Sequence, residues 1–186
     1  VAVVSDTSPY LRLYKNVSGK LVKLTDPASM PASAAKNVSY SANGTYMAVA
    51  TTSTPFVIIY RRSGDTYTKL TNPVTLPTGS ATGLSWSPDG VYLSVAHSVS
   101  PYVTVYKNVA DVFTKLSDPA TIPTGTGAGC SFSYDSIYLA VTHASSPYIT
   151  IYKRSGDTFT KLTNPATLPG SNGIASSFSL DGTYLS

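Results

Sequence analysis

The stretch SWSPDGVYLSVAHSVSPYVTVYK (residues 85–107) returns 46 residues later as SFSYDSIYLAVTHASSPYITIYK (131–153). Its local chemistry reads as short strands and tight turns. GLSWS (83–87) runs into Pro88-Asp89-Gly90, a hairpin turn in which glycine supplies the positive φ. VYLSVAH (91–97) alternates, with Leu93 and Val95 on one face and Tyr92 and Ser94 on the other. After SVSP, YVTVY (102–106) alternates again, NVAD makes a polar turn, and FTKL (113–116) is a fourth strand on the outside.

The same unit is written across the whole chain. Pro9, Pro55, Pro101 and Pro147 are spaced by 46, as are Tyr14, Tyr60, Tyr106 and Tyr152. So are Tyr46, Tyr92, Tyr138 and Tyr184, and no insertion breaks the register. Four antiparallel strands in about 46 residues, repeated, predict an all-β propeller with four-stranded blades. Helical repeats are excluded because no segment spaces its apolar residues by three and four.

Composition agrees. Only 12% of the 186 residues are charged, with 14 Tyr, 13 Gly and 13 Pro, the profile of strands joined by tight turns. The net charge of +4 is spread thinly, which argues against a nucleic-acid surface. No apolar run could span a membrane. The opening VAVVSDTSPY does not read as a signal peptide, so a soluble protein is expected. The lone Cys130 excludes an internal disulfide and reads as a small buried thiol.

FSxDGxYLAV followed by SPYVTIYK resembles the WD-repeat-like blades of bacterial, archaeal and phage propellers, and the resemblance covers the whole chain. Neither a Gly-His pair nor a Trp-Asp dipeptide is present; Tyr14-Lys15, Tyr60-Arg61, Tyr106-Lys107 and Tyr152-Lys153 stand in the latter place. The resemblance implies blades that pack in rings of six to eight. It also implies a virion-associated or host-contact role.

Val1 aligns with Leu139 and Leu185, so the chain opens on a second strand and closes on IASSFSLDGTYLS, a first strand and the start of a second. One half-propeller domain is expected over 1–186, its N-terminal strands in 1–26 completed by 174–186 of the same chain or of a partner. The assembly residues are then Val1, Val3, Phe178, Tyr184 and Leu185. A homodimer forming an eight-bladed ring is the favoured reading. A four-bladed self-closed ring and a fragment of a longer propeller are the alternatives.

Candidate sites recur with the repeat. Tyr40, Trp86, Phe132 and Phe178 fit packing between blades better than ligand stacking. Lys23, Lys69, Lys115 and Lys161 fit edge protection of the outer strands. The loops DPATxP and SxSP are expected on one face. Their Asp26, Asn72, Asp118 and Asn164, with Tyr10, Phe56, Tyr102 and Tyr148, form the candidate surface for a carbohydrate or protein ligand. His97 and His143 lack the companions of a metal or catalytic site, and no cofactor is implied. Near-identical blades favour a non-enzymatic binding or assembly module. A lactonase-like enzyme and a purely structural scaffold are the alternatives, the former needing a polar cluster in the channel.

Overall fold

The structure is a computed structural model that describes all 186 residues. Its first sheet holds β1 (Ala2–Val4), β2 (Leu11–Val17) and β3 (Lys20–Lys23). The second holds β4 (Ala35–Tyr40), β5 (Tyr46–Thr51), β6 (Val57–Ser63) and β7 (Thr66–Lys69). The third holds β8 (Ala81–Trp86), β9 (Tyr92–His97), β10 (Val103–Val109) and β11 (Val112–Lys115). The fourth holds β12 (Gly127–Phe132), β13 (Tyr138–His143), β14 (Ile149–Ser155) and β15 (Thr158–Lys161). Each sheet is an antiparallel meander, and the all-β arrangement is propeller-like. The first has three strands: β1, the second-strand segment on which the chain opens, has a free edge where the others carry an inner strand. No helix is long and apolar enough to cross a membrane.

Alternation along each strand explains the stacking. In the third sheet, Leu93 and Val95 join Ala48, Val57 and Ile59 of the second. Tyr92, Val103 and Val105 turn the other way, to Leu139, Val141 and Phe159 of the fourth. Both faces of a central sheet are therefore dry, which is why every residue of β9 is buried. Each buried Val or Leu contributes about 1.5–3 kcal/mol, so these two apolar seams carry the fold. Of the aromatic series, Tyr40, Trp86 and Phe132 pack into the clusters between blades. Trp86 stacks on Tyr46 with ring centres 5.7 Å apart and meets Phe113 edge-on. Phe132 meets Phe159 at 6.1 Å.

Three polar devices repeat with the blades. In the β8–β9 turn, Ser87 Oγ donates to Asp89 (2.5 Å) and accepts from the Tyr92 amide (2.8 Å). Ser133 with Asp135, Ser179 with Asp181, and Ser41 with Asn43 repeat it. The Tyr60, Tyr106 and Tyr152 hydroxyls donate to Ser29, Thr75 and Thr121 carbonyls at 2.8–3.0 Å, fastening the preceding inter-blade loop. Lys15–Asp65, Arg61–Asp111 and Lys107–Asp157 pair successive blades at the surface at 2.8–2.9 Å.

Candidate functional site

The inner strands β4, β8 and β12 each carry a register shift, between Ala35 and Asn37, Ala81 and Gly83, and Gly127 and Gly129. Such a bulge re-aims side chains next to it. The strands approach very closely there: a Cβ on Gly83 would lie 2.8 Å from Gly129 Cα, so only glycine fits. Beside this contact is a cavity of about 370 Å³, reached by inner-strand residues of the last three sheets and by 174–176. Asn37, Thr82, Gly129, Cys130 and Ser176 are among its lining.

At the cavity the blades diverge. One repeat position reads Lys36, Thr82, Ala128 and Ile174; the next reads Asn37, Gly83, Gly129 and Ala175. That divergence within near-identical units is the sequence signal that a motif search passes over. Asn37 makes no side-chain hydrogen bond and is only half-buried, so its amide is available to a guest. Thr82 is committed, donating to the Gly127 carbonyl (2.7 Å) and the Ala96 carbonyl (3.1 Å). Burial pushes the Cys130 thiol up to about 11, so it is protonated at neutral pH and is no nucleophile. No cluster of three metal-ligating residues exists.

His97 and His143 are fully buried. Each places Nε2 against a threonine hydroxyl, Thr104 at 3.0 Å and Thr150 at 2.9 Å. Burial depresses both, His97 to about 4, so the rings are neutral at pH 7. Neither lines the cavity.

The loop candidates are separated. Asp26, Asn72 and Asp118 line three equivalent outer grooves of about 680, 460 and 360 Å³, each closed by the outer strand of the next blade. Tyr10, Phe56, Tyr102 and Tyr148 line none of them. Phe56, Tyr102 and Tyr148 follow cis-prolines and adopt φ of 64–68°. Asp26 is held by Arg12 (2.7 Å) and Lys23 (3.0 Å), Asp118 by Lys115 (2.6 Å), and Asn164 accepts from Lys161 (2.6 Å). The Lys23 hydrogen bond is the chief reason the Asp26 carboxyl sits below its ordinary value. The two loop families do share one face, since Thr78 donates to the Ser100 carbonyl (2.8 Å) and Thr124 to that of Ser146 (2.7 Å).

No protein family and no curated protein matches the sequence. Solved structures do match the fold. A Lactobacillus plantarum protein superposes with a TM-score of 0.71 at 19% identity over 89% of this chain and 51% of its own. A Bacteroides uniformis protein provisionally named a 6-phosphogluconolactonase gives 0.70 at 16% identity, over 94% of this chain and 55% of its own. Its Bacteroides fragilis counterpart gives 0.64 at 15%, over 92% and 45%. The chain thus spans about half the length of the solved chains it matches.

These likenesses correct the expectation of a non-enzymatic module. Two of the matched folds carry the name of a lactone-hydrolysing enzyme. Repetition between blades is a property of the fold and does not by itself exclude an enzyme.

Proposed function

We propose that the protein is a lactonase-type hydrolase that opens a small sugar-lactone ring in the inner-strand cavity. The observation that carries this reading is the convergence of the divergent inner-strand positions on one cavity, with the unpartnered Asn37 amide at its wall. The names of two of the matched folds support the same class. In this mechanism Asn37 Nδ2 donates to the lactone carbonyl oxygen and stabilises the oxyanion that forms when water adds to the carbonyl carbon. The ring C–O bond then breaks, and the ring oxygen gains a proton from solvent as the attacking water loses one. The cavity holds no general base, so catalysis rests on carbonyl polarisation of an ester already reactive towards water.

The test follows acid release by the purified chain from 6-phosphogluconolactone and from glucono-1,5-lactone. Saturable acceleration over the buffer rate is expected, with Asn37→Ala lowering kcat by roughly 100-fold, the usual consequence of losing one oxyanion donor. A rate equal to buffer with both lactones would falsify the assignment.

A further inference from the structure

We propose that the two open blade faces are covered by a second copy of this chain, so that two copies close one ring around the channel. Every internal junction sets the same trailing residues of one blade against the same leading residues of the next. Ala48, Val57 and Ile59 meet Leu93, Val95, Tyr106 and Phe113; Tyr92, Val103 and Val105 meet Leu139, Val141, Tyr152 and Phe159.

Both halves of that junction stand open at the ends of the array. On the leading face of the first sheet, Val1, Val3 and Leu21 are 59%, 51% and 57% exposed. Their repeat equivalents Leu93, Val95 and Phe113 are exposed by 3% or less. On the trailing face of the fourth sheet, Ile149 and Ile151 are only half-buried, where Val103 and Val105 are buried. An apolar surface complementary to another surface of the same molecule invites a second copy.

The inner strand that β1 lacks is also present, at the other end of the molecule. Phe178 bridges Leu185 in the register of Trp86 with Leu93 and Phe132 with Leu139. This segment is already moored to the fourth sheet, with Ser176 Oγ 3.0 Å from Ser131 Oγ and the Gly173 amide donating to the His143 carbonyl at 3.2 Å. Leu185 stands at the repeat position of Val1. In the ring, residues 175–178 of one copy therefore pair with β1 of the other, Val1 and Ala2 displacing Leu185 and Ser186, which hold the same register within their own chain. Asn164 gains by the same step the outer strand that closes the grooves of Asp26, Asn72 and Asp118. One detail differs: the turn position of Asp65, Asp111 and Asp157 is Gly19 in the first sheet, so Lys153 has no counter-charge at the new junction. Exposed pairs of this kind contribute little, and the apolar contacts decide the junction.

The inference is independent of lactone chemistry, and solution mass tests it. Light scattering should give twice the 19.5 kDa chain mass across the micromolar range. A single-chain mass, or an open ladder of larger species, overturns the closed pair. The register is tested with Val3→Cys and Ser176→Cys together. These positions match the cross-strand pairs Val95 with Leu84 and Val141 with Cys130. Oxidation should give a covalent two-chain band on a denaturing gel, absent from either single variant. A cross-link within one chain would show self-closure, and no cross-link would remove the proposed pairing; both overturn the proposal. Val3→Glu, with its strand circular dichroism retained, should shift the mass to one chain; an unchanged mass counts against the leading face.

Discussion

His97 shows what the tertiary environment does to one side chain. Its ring is sealed between blades with its pKa pushed down to about 4 by burial, while the unfolded chain titrates near 6.5. The unfolded state therefore binds the extra proton between those values. The stabilisation is full above about pH 6.5 and is lost as pH falls towards 4. Melting temperature should drop across that window, and His97→Gln should flatten the slope. An equal slope in the variant would show that other groups are responsible. Gly83 is fixed by space alone, since its Cβ would meet Gly129 Cα at 2.8 Å. Gly83→Val should destabilise by about 1–3 kcal/mol in urea unfolding, the usual consequence of overpacking. Positive φ at Gly90 agrees with the sequence reading of that turn, whereas Ser136 takes φ of 62° in a turn without glycine.

At the scale of elements, the strands were legible because each alternates over four to seven residues. Structure and sequence differ mainly at the ends: GLSWS begins two residues inside β8, and YVTVY stops three short of the end of β10. What alternation did not reveal is that both faces are buried, since a half-buried strand and a sandwiched one share the same period. The inter-blade loops were placed by sequence but not anchored by it. The Tyr106 hydroxyl, donating to the Thr75 carbonyl at 2.9 Å, is such an anchor. Tyr106→Phe should cost about 1 kcal/mol, the net worth of one hydrogen bond, with the apolar packing unchanged. Ser87→Ala removes both bonds of the Ser87–Asp89 turn and should cost more than Tyr106→Phe in the same assay.

Across the whole molecule, stability is uneven because the middle blades are covered on both sides and the terminal ones on one. Amide exchange should be slowest in β5 and β9 and fastest in β1 and 177–186, tracking the exposure of Val1, Val3 and Tyr184. Uniform protection in a single-chain species would contradict this gradient. The same asymmetry underlies the assembly proposed above, and a second copy should raise protection in those end segments selectively.

The sequence by itself determined the architecture and the residues between blades. A 46-residue period with alternating apolar positions permits few other ways to bury the same residues four times over. It also marked the Pro88-Asp89-Gly90 turn, because its chemistry is local. Only the tertiary structure decided where a site could lie. Asn37, Thr82 and Ser176 look like minor variations along the chain, and they come together because bulged inner strands converge across large sequence separations. Asp26 and Tyr10 belong to loops of one face, yet the sheets hold one in an outer groove and leave the other out of it. Burial likewise made His97 a neutral structural ring. Proximity and desolvation are properties of packing, and a repeat read along its length contains neither until the blades are stacked.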